Sequence, residues 1–78
     1  MDDINTFISK LEREIEELQP GSLRADTVFR HLPEWSSMHA LIVIALAETE
    51  YDTTITGEDL KKSTTIQDIY EIIRSRAH

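Results

Sequence analysis

The spacing of apolar residues near the start of the chain predicts an amphipathic helix. Most of these residues follow one another at intervals of three or four, which places them on one stripe of a helix: Ile4, Phe7, Ile8, Leu11, Ile15 and Leu18. Asp2 or Asp3 can cap the start, and the Gln-Pro-Gly sequence at residues 19–21 is a stop signal. Four acids are expected mostly on the outer face: Glu12, Glu14, Glu16 and Glu17.

Between Gln19 and Trp35 the helical spacing is lost. This connection of about 17 residues is long for so small a domain, and loops of that length are often functional. A short helical turn can form around residues 26–30, and Trp35 is expected to seal the loop on the bundle. Four apolar residues can pack the loop against a core: Leu23, Val28, Phe29 and Leu32.

The segment from about Ser37 to Tyr51 is apolar around most of the helical circumference. We therefore predict that it forms the central and most buried helix. The β-branched residues within 41–44 also suit a strand, but the length of the segment and its lack of Gly and Pro favour a helix. Its apolar positions are Met38, Leu41, Ile42, Val43, Ile44, Ala45 and Leu46.

Two later segments begin with a threonine followed three residues on by an acid, which is the signal of a capping box. Thr56 and Asp59 predict a short helix over about residues 57–62. Thr65 and Asp68 predict a last helix with one apolar face and basic residues at its negative end. That face comprises Ile66, Ile69, Tyr70, Ile72 and Ile73, and the basic residues are Arg74, Arg76 and His78.

These elements predict an all-α fold with a single domain over residues 1–78. The expected architecture is a small bundle of three main helices plus one short helix, with a long loop between the first and second helices.

Composition narrows the classes of function that the chain can have. The absence of cysteine excludes disulfides, thiolate metal sites and a protein thiol as nucleophile. A net charge of −7 argues against nucleic acid and anionic membranes as partners. It suits a protein that visits basic surfaces, although acidity can also serve solubility alone.

The chain shows no signal for export or for insertion into a membrane. It starts with Met1, Asp2 and Asp3, and its longest apolar run, residues 40–47, is too short to cross a bilayer. We expect a soluble, cytoplasmic monomer.

Side chains with catalytic or metal-binding potential are few and scattered. His31, His39 and His78 have no partner at the spacing of a metal site. His39 is near the serines, but no acid is spaced to orient it, and we interpret it as a solvated residue of the first helical turn. Two pairs of carboxylates are typical of a solvated surface: Glu14 with Glu17, and Glu48 with Asp52. We predict no metal and no enzymatic activity.

Ser36 and Ser37 open the central helix and are the chain's main candidates for chemistry. A helix N-terminus offers free N–H groups and a positive dipole end, both of which favour a phosphate. Most serines at helix starts are simple N-caps, and on this feature alone the N-cap is the favoured interpretation.

With these elements in order, the chain resembles the acyl carrier protein family. That family has a long amphipathic helix, an extended loop, an Asp-Ser-Leu tripeptide opening a central apolar helix, then a short helix and a last one. The likeness covers residues 2–76 and needs no gap between Phe29 and Ile73. Four segments carry it: Ser36-Ser37-Met38 at the tripeptide, Leu41 to Tyr51, Ile55 with Thr56-Gly57-Glu58-Asp59, and Ser63-Thr64-Thr65-Ile66-Gln67-Asp68.

The resemblance implies that Ser37 carries a 4′-phosphopantetheine, attached from coenzyme A by a phosphopantetheinyl transferase. Acyl groups would be bound as thioesters on the thiol of this arm. Basic-surfaced enzymes of acyl transfer and acyl-chain processing would be the partners, in fatty acid, polyketide or specialised lipid synthesis. Sheltering of the acyl chain would involve Leu41, Ile44, Leu46, Ile55 and Ile73, each of which can also be ordinary core.

Several positions depart from the family pattern. Ser36 stands where the family has aspartate, which leaves Ser36 as a second candidate for modification. His39, Ile42 and Ala47 stand where the family is commonly acidic, so docking should differ from that of the general carrier. The predicted docking residues are Met38, Ile42, Glu48 and Glu50.

Three alternatives stay open. A peptidyl or aminoacyl carrier shares the serine but usually has glycines before it, which residues 32–35 lack. A relative that has lost the modification is the second. The third is an unmodified helical adaptor that binds a partner through its acidic first helix.

Overall fold

The computed structural model describes residues 2–15, 18–19, 21–33 and 35–77, and it is all-helical there. The predicted fold class is confirmed: three longer helices and one short helix, with a long connection between the first two. In chain order the elements are α1 (Ile4–Glu14), a 3₁₀ helix (Phe29–His31), α2 (Ser37–Tyr51), α3 (Gly57–Lys62) and α4 (Ile66–Arg76). No strand forms in the described ranges, where β-type pairing is limited to an isolated bridge between Val28 and Thr65.

The core draws apolar side chains from all four α-helices and from the loop. Phe7 of α1 is fully buried and lies between the rings of Tyr51 and Tyr70, at centroid distances of 6.0 and 5.8 Å. Val43, Leu46 and Ala47 of α2 are buried in the same cluster, as are Ile66, Ile69 and Ile73 of α4. The prediction that α2 is the most buried helix is not confirmed, because Met38, Leu41 and Ala45 are exposed and α2 buries only one face, as α1 and α4 do.

The first helix ends at Glu14 and is therefore shorter than its apolar stripe predicted. Ile15 is already extended, at φ −102° and ψ 96°, yet both Ile15 and Leu18 are buried. The Glu12 carboxylate is not simply solvated: it accepts the N–H groups of Gly21 and Leu23, at 3.0 and 2.9 Å. Burial of these apolar side chains therefore continues beyond the helix, with the loop tied back to Glu12.

The predicted surface acids Glu16 and Glu17, the predicted stop at Pro20 and the terminal His78 lie outside the described residues. Gly21 has φ +86°, a conformation that side chains with a Cβ rarely adopt, so the turn after α1 needs glycine there.

Hydrogen bonds attach the long loop to the end of α3 and to the start of α4. Its 3₁₀ helix overlaps the turn predicted around residues 26–30. Nη2 of Arg30 donates to the carbonyls of Leu60, at 2.9 Å, and of Lys61 and Ser63. Two further backbone bonds join the loop to α4: Ile66 N–H to Thr27 O at 3.1 Å, and Gln67 N–H to Ala25 O at 2.9 Å. The loop thus holds a defined position beside the end of α3 and the start of α4.

Both predicted capping boxes are present. Thr56 N–H donates to Asp59 Oδ2 at 2.8 Å, and Asp59 N–H donates back to Thr56 Oγ1 at 3.3 Å. Thr65 and Asp68 repeat this arrangement at 3.0 and 3.2 Å. The central helix begins at Ser37 and ends at Tyr51, as predicted, followed by Asp52 in the left-handed conformation.

Candidate functional site

The serine pair lies at the N-terminus of α2, and its two members have different structural positions. Ser36 is the N-cap, with extended backbone, and Ser37 is the first helical residue. Both are exposed. Among the described residues, none hydrogen-bonds to the Ser37 hydroxyl. The first turn of α2 carries no acid. Ser37 therefore presents a free hydroxyl at the positive end of a fifteen-residue helix.

His39 was predicted to be solvated, and this prediction is wrong: only 5 % of its surface is exposed. Its Nδ1 accepts the backbone N–H of Ser36 at 3.2 Å, and the Ser36 hydroxyl lies 3.5 Å from the same atom. The imidazole also packs against Trp35, with a centroid distance of 6.0 Å, and Trp35 packs on Phe29 at 4.9 Å. His39 thus fills the role that an acid has in a capping box. The three-residue spacing from Ser36 is the signal that could have revealed this.

The exposed face of α2 runs from beside Ser37 toward the end of the helix. Met38 and Leu41 are 65 % and 66 % exposed, and they are the exposed large apolar residues of the described chain. Ala45 and Glu48 continue the same face at helical spacing, and both are exposed. This surface, which we call the α2 stripe (Met38, Leu41, Ala45 and Glu48), is apolar near the serine and acidic farther along.

The residues predicted to shelter an acyl chain differ in their surroundings. Leu41 points to solvent, which corrects its assignment to an interior pocket. Ile55 and Ile73 are buried in the core, and Ile44 is half-buried against it. Leu46 is buried and lines a cavity of about 240 Å³ between α1 and α2, together with Glu14, Ile42, Ala45 and Thr49.

A larger open cavity, of about 450 Å³, lies between the loop, α2 and α3. We call it the loop cavity. Sequence reasoning did not identify it, because its walls come from three segments that only the tertiary fold brings together. Its lining residues are Phe29, Arg30, Trp35, Ala40, Gly57, Leu60 and Lys61.

The predicted docking acids differ in their surroundings. Glu50 is 3.0 Å from the Lys10 ammonium, which also contacts Asp2 at 2.6 Å. Glu50 therefore belongs to an ion network within the chain. The hydrogen bonds that Lys10 donates to Asp2 and Glu50 raise the pKa of Lys10, and Lys10 lowers the pKa of Asp2. Burial and its hydrogen bond to Asp2 raise the pKa of Tyr51 to about 12. Glu48 forms no ion pair or hydrogen bond with the described residues and stays available to a partner.

The comparisons with known proteins identify no relative: no protein-family model, curated protein or solved structure matches the chain. Of the helices in the described ranges, none has the length and apolar character needed to cross a membrane. The same ranges contain no cluster of three or more His, Cys, Asp or Glu side chains arranged to hold a metal ion.

Proposed function

We propose that this protein is an acyl carrier whose Ser37 hydroxyl is esterified with 4′-phosphopantetheine. The observation that carries the proposal is the exposed Ser37 hydroxyl at the first residue of the central helix. The resemblance of the whole chain to acyl carrier proteins supplies the identity of the group. When attached, the arm provides the thiol that this cysteine-free chain lacks, and acyl groups are bound there as thioesters.

The surroundings of Ser37 fit a phosphodiester. The first turn of α2 has no carboxylate to repel the anion, and the free N–H groups of a helix start favour one. Formation of the bond joins Ser37 Oγ to phosphorus and releases the nucleotide part of coenzyme A. The hydroxyl proton leaves with that reaction, which a separate transferase catalyses.

The two serines have separate roles in this proposal. Ser36 is the N-cap, and its backbone N–H and hydroxyl both lie against His39 Nδ1. Ser37 makes no contact of this kind within the described chain. Ser36 therefore holds the start of the helix, and Ser37 presents the hydroxyl for modification.

The α2 stripe is the proposed docking surface for partner enzymes. Met38 and Leu41 offer an apolar contact beside the arm, and Glu48 offers a free carboxylate farther along the helix. A complementary surface has an apolar pocket flanked by lysine or arginine, at the spacing of about two helical turns. Ile42 is half-buried at the smaller cavity and contributes at the edge of this surface.

The test of the function is the intact mass of the protein after reaction with coenzyme A and a broad-specificity phosphopantetheinyl transferase. We expect the addition of one phosphopantetheine mass to the wild-type chain and to Ser36→Ala. We expect none on Ser37→Ala, because that variant lacks the accepting oxygen. The two serine variants are matched controls, since each removes one hydroxyl from the same helix start.

Modification of Ser37→Ala but not of Ser36→Ala would reverse the assignment of the two serines. Absence of any adduct on the wild-type chain, with every transferase tried, would contradict the carrier function. The adaptor interpretation would then replace it.

A further inference from the structure

The loop cavity combines apolar walls with a basic rim. Phe29, Trp35 and Leu60 are among its apolar lining residues, and the two cations that line it, Arg30 and Lys61, are exposed. Among the described residues that line it, none is acidic, although the chain has a net charge of −7. The charge of the cavity thus opposes that of the molecule as a whole.

The guanidinium of Arg30 is held in place before any ligand arrives. Its Nη2 meets the three carbonyls at the end of α3, and its Cζ lies 5.4 Å from the centroid of the Phe29 ring. Carbonyls position this cation but do not neutralise it. Its Nη1 and Nε make no hydrogen bond within the described chain. Two nitrogens of a preorganised cation, with three N–H groups between them, are therefore left for an anion.

The second cation, Lys61, is only weakly paired. Its ammonium is 3.5 Å from Glu58, and both side chains are mostly exposed, so water screens the pair. The charge of Lys61 can attract an anion to the cavity, whereas Arg30 is the cation whose position is fixed by hydrogen bonds.

We propose that the loop cavity binds a free small molecule that has an apolar body and one carboxylate or sulfonate group. The apolar body lies between Phe29, Trp35 and Leu60, and the anionic group contacts Arg30. The cavity, at about 450 Å³, is within the usual range for small-ligand sites. The proposal does not depend on modification of Ser37.

Trp35 is the only tryptophan of the chain and lines the cavity, so its fluorescence reports on occupancy. The probe is decanoate, titrated below its micelle-forming concentration into unmodified Ser37→Ala protein. The matched probe is decanol, which has the same chain length and no charge. We expect a saturable change with decanoate and binding of decanol that is about fivefold weaker, because the Arg30 contact is lost.

Two charge variants separate the cavity from general electrostatics. Arg30→Gln should weaken decanoate binding about fivefold and leave decanol binding unchanged. Lys62→Gln is the control, because it removes one exposed positive charge from the same helix as Lys61 but outside the cavity lining. It should leave decanoate binding within about twofold.

Gly57→Leu tests the position of the site. A Cβ at Gly57 meets no atom within 4 Å, so the new side chain enters open space at the cavity without a backbone clash. This variant should lose decanoate binding while its circular dichroism stays that of the parent protein. If the variant does not fold, amide chemical-shift changes in the parent protein decide instead. They should cluster at Phe29, Ala40 and Leu60.

Three results would overturn the proposal: no change in Trp35 fluorescence with decanoate, equal binding of decanol, or shift changes confined to another surface. None of them bears on the carrier function, because Ser37→Ala cannot take the arm. Conversely, failure of the transferase experiment leaves this binding test intact.

Discussion

A histidine at the start of α2 takes the position that acids take at the starts of α3 and α4. His39 accepts the N–H of Ser36, as Asp59 and Asp68 accept the N–H groups of their threonines. The hydrogen bond is equivalent, but a histidine side chain, unlike a carboxylate, brings no negative charge. The first turn of α2 therefore lacks the carboxylate that the first turns of α3 and α4 have, and no acid in that turn offsets the positive end of the helix dipole beside Ser37.

Two leucines on opposite faces of α2 give a matched stability test. Leu46 is 4 % exposed, whereas Leu41 is 66 % exposed. Leu46→Ala should lower the free energy of unfolding by about 2–5 kcal/mol, because it leaves a cavity in the core. Leu41→Ala should change it by less than about 0.5 kcal/mol. Urea denaturation of both variants measures the difference, and similar losses would mean that the faces of α2 are assigned wrongly.

At the scale of elements, Asp59 joins α3 to α4. Its carboxylate completes the capping box of α3. It also accepts hydrogen bonds from Nη1 and Nη2 of Arg76, at 2.7 and 2.9 Å. Arg76 extends the link to Thr54 O at 3.2 Å. The hydrogen bonds that Asp59 accepts lower its pKa well below the ordinary value, and the largest effect is that of Arg76, followed by that of the Thr56 N–H. Asp68 has the capping role alone, and backbone bonds from Thr64 and Thr65 lower its pKa.

Comparison of Asp59→Ala with Asp68→Ala isolates the contact between helices. Loss of a cap contact costs about 1 kcal/mol, which corresponds to about 4–8 °C in the melting temperature of a domain this small. We expect a decrease of that size for Asp68→Ala and a larger one for Asp59→Ala. Thermal melting followed by circular dichroism provides the measurement. Equal decreases would show that the bond to Arg76 contributes no net stability.

At the scale of the whole molecule, stability should fall in acid. The folded-state pKa values of Asp2, Asp59 and Asp68 are all lowered by hydrogen bonds or ion pairs. Their unfolded-state pKa is about 3.9. Because the unfolded chain takes up protons first as the pH falls, the contribution of these groups is complete above about pH 5. It is lost progressively below about pH 4.

The unfolding free energy measured by urea titration between pH 7 and pH 3 tests this expectation. Asp59→Asn should reduce the slope below about pH 4, because it removes one of the titrating groups. Glu58→Gln is the control, since it removes a carboxylate whose only contact among the described residues is an exposed one with Lys61. An unchanged slope in Asp59→Asn would contradict the role assigned to that carboxylate.

Most element starts could be predicted because their signals are local. Thr56 with Asp59 and Thr65 with Asp68 reveal a helix start within four residues, and the apolar pattern predicts the central helix. The end of α1 could not be predicted in this way. The apolar spacing continues to Leu18, and Leu18 is buried although it lies beyond the last residue of α1.

The same distinction between local signals and tertiary packing applies to the candidate site. The position of Ser37 at the start of a helix follows from neighbouring residues, and it could be inferred from the chain. The loop cavity could not, because Leu60 and Lys61 of α3 line it together with Phe29 and Trp35, which are far from them in the sequence. The burial of His39 was missed as well, because it depends on how the ring packs, here against Trp35.

By itself, then, the order of residues determined the helices, the caps of α3 and α4 and the serine that opens α2, since helical periodicity and capping act over a few residues. Only the tertiary structure decided which apolar side chains are buried, where α1 ends and which cations lie beside an apolar cavity. Those outcomes depend on the packing of segments far apart in the chain, and burial against such segments is not encoded in any short stretch of it.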